Sequence, residues 1–267
     1  MSETEAFNQQ VHDIWDDNAA FWDEKMGAAG NLTQRTLVGP AAERLLDLKP
    51  GETVLEIACG NGVFTRRMAE LGARVVASDF AEKMLAHARA RSAEYADRIE
   101  YRRIDATDES QILALGARRF DAAICNMAMM DMSAIEPLLS GLSQVLKPGG
   151  RFVFSVTHPC FNNVSSILML EEEIRDGEPI VTYSVKVSRY LGFLPTKGVA
   201  IIGQPRKQYY FDRPLSVLFS TCFRAGFVMD GLEEPAPATP AQAGRPLSWS
   251  SFSEIPNILV ARLRLAK

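Results

Sequence analysis

The stretch TVLEIACGN, Thr53 to Asn61, decides the fold. Val54-Leu55-Glu56-Ile57-Ala58 is a mostly apolar run of strand length, and it leads through Cys59-Gly60-Asn61-Gly62 into a helical pattern. Strand, glycine turn and helix in that order make the crevice in which open α/β sheets hold nucleotides. Gly60 and Gly62 carry no Cβ, so the backbone there can take positive φ and come close to a ligand, while the following helix offers unpaired N–H groups at its start. A glycine turn alone does not separate nucleotide classes. The dinucleotide fingerprint G-x-G-x-x-G/A requires Gly or Ala at position 65, and the chain has Thr65, which reads away from NAD.

Outward from that turn the elements alternate. Val63 to Leu71 reads as a helix with Phe64, Met68 and Leu71 on one side and Gly72 as its stop. Arg74 to Ser78 is a second strand closed by Asp79, at the distance beyond the glycines where nucleotide-binding α/β domains place the acid that takes ribose hydroxyls. The alternative is that Asp79 caps the helix Glu82 to Arg91. Ile99 to Ile104 is a third strand, with Asp105-Ala106 at its carboxyl end. Phe120 to Cys125 is apolar beyond Asp121, as befits a central parallel strand covered on both faces, so Asn126 opens into the crevice. Ser133-x-x-Glu136 has the spacing of a capping box and precedes a helix carrying Ile135, Leu138, Leu139, Leu142, Val145 and Leu146. That helix ends at Lys147-Pro148-Gly149-Gly150, before the strand Arg151 to Thr157.

Glu56 to Gly62, together with the LKPGG turn, resembles the class I S-adenosylmethionine-dependent methyltransferases over about Thr53 to Thr157. Ala58 stands where that family most often has glycine. The resemblance implies an α/β fold: a Rossmann-like, doubly wound seven-stranded sheet of order 3-2-1-4-5-7-6 with helices on both faces. It implies S-adenosyl-L-methionine as cofactor, held by Glu56, Ala58, Cys59, Gly60, Asn61 and Gly62 of the first motif and by Asp79, Phe80 and Met84 after the second strand. Asp105, with Ala106, would face the adenine amino group, and Asn126 would complete the set. Asn126-Met127-Ala128-Met129 is not the N/D-P-P-Y run of amino-methylating nucleic-acid enzymes, so the expected acceptor is a small molecule with an oxygen, nitrogen or carbon nucleophile. An NAD-linked oxidoreductase and a non-catalytic S-adenosylmethionine-binding regulatory module are the competing readings.

The flanks set the rest of the expectation, a single domain over residues 1–267. Residues 1–48 form a helical cap, in which Thr4 to Met26 reads as one or two amphipathic helices and Thr36 to Leu48 as another. Trp15 and Trp22 either pack that cap across the domain edge or wall the active site. Residues 158–212 break the alternation, with strand-like pieces at Ile180 to Val187 and Lys207 to Phe211. A connection this long inside a compact domain is usually functional, and its aromatic content suits a small-molecule pocket, so it is expected to cover the acceptor. Trp15, Trp22, Arg35, Met127 and Tyr209 are the expected acceptor contacts, and Arg35 and Arg206 are possible anion contacts. His158, directly after the fifth strand, is the expected general base, having an ordinary pKa suited to proton abstraction near neutrality. Pro214 to Ala225 reads as a helix, Phe227 to Leu232 and Asn257 to Leu265 as a last antiparallel pair of strands, and Pro235 to Pro246 as an exposed loop.

A formal charge of −4, with no basic tract beyond pairs such as Arg102-Arg103, argues against nucleic acid as partner. Cys59, Cys125, Cys160 and Cys222 lie far apart without C-x-x-C spacing, and three histidines are scattered, so neither a metal nor a disulfide framework is expected. Pro159-Cys160 also admits the cysteine nucleophile of cytosine-5 methylation, although a turn cysteine is the simpler reading. The polar, acidic amino terminus and the absence of a long apolar run suggest a cytoplasmic protein that does not enter membranes, as monomer or homodimer.

Overall fold

The computed structural model describes residues 3–237 and 247–266. Strands β1 (Thr53–Ile57), β2 (Arg74–Asp79), β3 (Ile99–Arg103), β4 (Phe120–Asn126) and β5 (Leu146–Thr157) run parallel. The segment that follows holds a hairpin of β6 (Ser166–Arg175) and β7 (Glu178–Val187) and a short pair of β8 (Thr196–Gly198) and β9 (Gln208–Tyr210). The chain then returns with β10 (Phe227–Glu233) and β11 (Ile258–Leu265), and β11 inserts antiparallel between β5 and β10. The seven-stranded sheet is ordered β10-β11-β5-β4-β1-β2-β3. Counting β11 as the seventh strand and β10 as the sixth, this is the expected 3-2-1-4-5-7-6.

The strands alternate in which core they feed. Leu55 and Ile57 of β1, Ala123 and Cys125 of β4, and Phe152 and Phe154 of β5 face one cluster, built with α5 (Glu109–Leu113), α6 (Glu136–Val145) and α7 (Leu215–Arg224). Val54, Ala122, Ile124 and Val153 face the other, built with α2 (Gly39–Leu46), α3 (Val63–Glu70) and α4 (Glu82–Arg91). Burial on both faces explains why these strands read as unbroken apolar runs. The remaining helix, α1 (Glu3–Met26), lies over the carboxyl ends of the strands and contacts α4 and β9.

Some boundaries differ from the sequence reading. The capping box is not formed: α6 starts at Glu136, Ser133 Oγ donates instead to Asn8 Oδ1 of α1 at 2.7 Å, and Glu136 Oε2 accepts the Ile135 N–H at 3.1 Å. Pro137 is the cause. With Ser133 as cap it would fall where the first intrahelical N–H is needed, whereas the observed start leaves it in the first turn, where no N–H is required. Pro40 acts similarly on α2, which begins at Gly39 behind a π-helical turn at Gln34–Val38 and ends at Leu46, with Asp47 left-handed at φ 46°. β6 lies outside both expected strand pieces. Its signal was the pair Asp176-Gly177, which turns the hairpin with φ of 54° and 85°, the positive values of a type I′ turn. Most of the expected loop Pro235 to Pro246 lies outside the described residues.

Candidate active site

The glycine turn is shaped by hydrogen bonds from the neighbouring strand. Cys59 N–H donates to Ser78 O at 2.9 Å, and Gly60 N–H donates to Asp79 Oδ2 at 2.9 Å. The other Asp79 oxygen accepts the Ala81 N–H at 2.9 Å, just before α4. Asp79 therefore does both things weighed for it: it supports the start of the helix and ties down the glycine turn, while its carboxylate still lines the cavity. Ala58, Gly60 and Gly62 have φ of 54°, 55° and 77°. A Cβ at Gly60 would meet nothing within 4 Å, so the turn leaves open space on its cavity side, whereas one at Gly62 would fall 2.9 Å from Tyr101 Oη. Glycine at 60 thus admits a ligand, and glycine at 62 admits the neighbouring strand.

Glu56 lies beneath the turn, 2 % exposed, and accepts a short hydrogen bond from Thr65 Oγ1. The residue that breaks the dinucleotide fingerprint is thereby used to hold the strand acid. Burial pushes the Glu56 carboxyl up to about 8, against the pull of Thr65, and pushes Asp79 up to about 6, against its backbone donors.

One cavity of about 760 Å³ spreads from this turn. Glu56, Ala58, Cys59, Gly60, Asn61 and Asp79 line its floor, and Phe80, Met84, Asn126 and Met127 continue the wall. Met127 is left-handed at φ 51°, and its N–H donates to Ser155 O and Oγ. Trp15 and Trp22, 5.5 Å apart between ring centroids, line the cavity from α1, which places them on the wall rather than only at the domain edge. Asn61 Nδ2 donates to Asp23 Oδ1 and Gly27 O, so the lid and the turn are joined. Three buried polar atoms on this lining have no protein partner: Trp22 Nε1, Asn126 Nδ2 and Asn257 Oδ1.

Asp105 and Ala106 line a smaller space of about 40 Å³, closed by Asn8 and Val11 of α1. It shares Ala58, Phe80, Asp131 and Met132 with the large cavity. The Asp105 carboxylate accepts from Thr107 N and Oγ1.

Five expected site residues fall elsewhere. Gly62 is the N-cap of α3 and does not line the cavity. Arg35 lines a separate groove beside Glu43 and Arg67, and Arg206 pairs with Asp17 at 2.7 Å, so neither offers an anion contact inside. Tyr209 turns away, its Oη donating to Gln10 Oε1 and its ring 4.6 Å from Phe7, while Tyr210 lines the cavity. Alternation along β9 allows only one of the two to face inward. His158 is 1 % exposed and lies off the cavity, with Nε2 2.7 Å from Glu234 Oε1 and Nδ1 accepting the Cys160 N–H at 3.1 Å. Both ring nitrogens are occupied in holding the start of the insertion, which corrects the general-base expectation. Cys160 is likewise off the lining, its Sγ 3.6 Å from Tyr190 Oη. Among the inward residues that sequence reasoning missed are Asp131, Gln208, Tyr210, Trp249 and Asn257. Only Tyr210 had a signal, as the strand neighbour of Tyr209.

Among the described residues no group of three or more His, Cys, Asp or Glu side chains is placed to hold a metal ion, and no helix is long and apolar enough to cross a membrane.

Residues 54–150 match a family model described as a methyltransferase domain. A demethylmenaquinone methyltransferase of Clavibacter sepedonicus is 40% identical over 103 residues, 39% of this chain and 40% of that one. A ubiquinone biosynthesis O-methyltransferase of Hahella chejuensis is 27% identical over 158 residues, 58% of this chain and 60% of that one. The alignments thus span about half the length of these curated relatives. The crystal structure of an S-adenosylmethionine-dependent methyltransferase from Mesorhizobium loti superposes with TM-score 0.62 at 28% identity, over 85% of this chain and 99% of that one. The domain match covers β1 through the LKPGG turn, and the structural match takes in most of the remainder, so the chain carries a methyltransferase domain on the Rossmann-like methyltransferase fold.

Proposed function

We propose that this protein is an enzyme that transfers the methyl group of S-adenosyl-L-methionine to a small organic molecule, with residues 1–267 acting as one domain, 1–48 as its cap and 158–212 as the acceptor cover. The observation that carries this reading is the continuity of one cavity. Its floor is the glycine turn and Asp79, and its far wall is Asn163, Lys197 and Tyr210 of the insertion.

The residues present fit the cofactor. The Asp79 carboxylate suits ribose hydroxyls, the open side of Gly60 suits a closely approaching chain, and the unpartnered Asn126 Nδ2 offers a donor. Glu56, Ala58, Cys59 and Asn61 would complete that half with Phe80 and Met84, and Asp105 and Ala106 would take the adenine edge once α1 gives way over the small space. Bound there, the cofactor supplies a methyl group already activated on a sulfonium. What remains for the chain is to orient the acceptor in line and to exclude water. Trp15 and Trp22 close one side, and the insertion closes the other. Met127, Met130 and Met132 give the space between them a soft apolar wall.

A covered cavity on an acidic chain suits a small acceptor in the cytoplasm rather than a nucleic acid strand. Titration calorimetry tests the cofactor: S-adenosylhomocysteine should bind and NAD should not. Incubation of a metabolite extract with methyl-labelled S-adenosylmethionine should then place the label in a small product. Binding of NAD in place of S-adenosylhomocysteine, or label confined to RNA or DNA, would overturn the proposal.

A further inference from the structure

The acceptor half of the cavity has a charge imbalance. Its acids are Asp131, in the 3-10 turn after β4, and Asp212, after β9, and the one base among the described lining residues is Lys197. Lys197 Nζ stands 4.3 Å from the centroid of the Tyr209 ring. Asp131 is 7 % exposed, and no cation pairs with it among the described residues. Oδ1 accepts from Gln208 Nε2 at 3.0 Å, and Gln208 Oε1 in turn accepts from Gln204 Nε2 at 3.0 Å. The Arg213 guanidinium lies against this segment but gives its hydrogen bonds to the carbonyls of Met129, Phe211, Met132 and Ser133. It pins the turn and leaves the carboxylate alone.

A second feature of the same cavity is independent of these acids. Asn257 is 6 % exposed, lines the cavity, and has an Oδ1 without a protein partner. A buried carboxylate without a cation and a buried amide oxygen without a donor suit a ligand that brings donors and positive charge. The aromatic side chains of Trp249 and Tyr210 in the lining of this cavity suit a cation as well.

We propose that Asp131, seconded by Asp212 and Asn257, recognises a positively charged amine on the acceptor, and that Asp131 takes the proton this amine must lose before its nitrogen is methylated. The ammonium passes one proton to the carboxylate. The freed lone pair forms the N–C bond as the C–S bond of the donor breaks, and that electron pair stays on sulfur as the neutral thioether. The positive charge ends on the methylated nitrogen. Gln208, reaching Asp131 from β9, makes this site incomplete until the insertion is folded over it.

Burial drives the Asp131 carboxyl well above its ordinary range, against the Gln208 hydrogen bond and with Asp212 adding to the rise, which favours its taking up a proton. The other titratable and charged groups around it are Tyr210, Cys125, Asp105, Lys197 and Arg213.

The inference rests on the methyl-transfer reading, and its test keeps the two apart. On protein saturated with S-adenosylhomocysteine, binding is compared within matched sets: phenethylamine, phenethyl alcohol and phenylacetate; tryptamine, tryptophol and indole-3-acetate. The amines should bind about tenfold or more tighter than the carboxylates, and Asp131→Asn, likewise kept saturated with S-adenosylhomocysteine, should remove about that factor. In the wild type, acidification from about pH 8 to about pH 5 should weaken the amines and leave the alcohols unchanged. That last comparison needs no variant. Equal or tighter binding of alcohols or carboxylates, no binding of either amine, or amine binding indifferent to both Asp131→Asn and pH would overturn the proposal. So would a loss in Asp131→Asn confined to S-adenosylmethionine over S-adenosylhomocysteine, which would assign the carboxylate to the donor. Failure of S-adenosylhomocysteine to bind the wild type would overturn the methyl-transfer reading itself.

Discussion

The two halves of the cavity are assembled in different ways. On the cofactor side Glu56, Ala58, Gly60 and Asn61 come from one turn, and Asp79, Phe80 and Met84 from the next strand end. On the acceptor side Asp131, Lys197, Tyr210 and Asn257 come from segments separated by dozens of residues, joined through β8–β9 pairing and the Gln208–Asp131 hydrogen bond. The first half is held by backbone geometry within one βαβ unit. The second exists only when the insertion and the segment before β11 have docked. A common donor can be met by a local motif, whereas an individual acceptor is met by whatever the long connections bring together.

The largest expected effect is on the cofactor side. Asp79→Ala removes the proposed ribose acceptor and the Gly60 tether together, each charge-assisted bond worth about 1.5–3 kcal/mol, so S-adenosylhomocysteine affinity should fall by about 10²-fold or more in calorimetry. An unchanged affinity would dissolve the division between the halves.

Glu56 sharpens it next, through pH. Its folded-state carboxyl is raised from 4.5 to about 8, so between those values the folded protein keeps a proton that the unfolded chain has released. The unliganded protein should therefore be more stable near pH 4.5 and lose stability as pH rises toward about 8, by an amount on the order of 5 kcal/mol. Asp79, raised to about 6, acts in the same direction. Glu56→Gln should flatten the slope in urea titrations run across this range; an unaltered slope would place its origin elsewhere.

His158→Gln tests the hinge between the halves. Because both ring nitrogens hold neighbours, the variant should lose about 1–2 kcal/mol of stability while S-adenosylhomocysteine affinity stays the same. A variant of unchanged stability whose turnover alone collapsed would restore the general-base reading.

The smallest effect is expected at Ala58, where φ of 54° places an alanine in the left-handed region. Ala58→Gly should relieve that strain and stabilise the protein by up to about 1 kcal/mol, offset in part by the extra freedom of glycine in the unfolded chain. Thermal unfolding with and without S-adenosylhomocysteine would show whether the relief also reaches the bound state.

Much of the parallel sheet was determined by the sequence alone. Its strands are buried on both faces, so their apolar runs announce them without context, and the turns at Gly60, Gly72 and Gly149 use residues that few others can replace at positive φ. What only the tertiary structure decided lies where two local readings were equally good. Capping-box spacing at Ser133 yielded to Pro137 and to the pull of Asn8, 125 residues away in sequence and beyond any local rule. Tyr209 and Tyr210 are indistinguishable until β8 sets the register of β9, and then only Tyr210 faces inward. His158 follows β5 toward the crevice in sequence, yet Glu234 and the Cys160 N–H claim its ring. Asp131 looks like any turn aspartate until the insertion buries it beside Gln208, for burial and a partner from another element are what turn a solvated acid into a site.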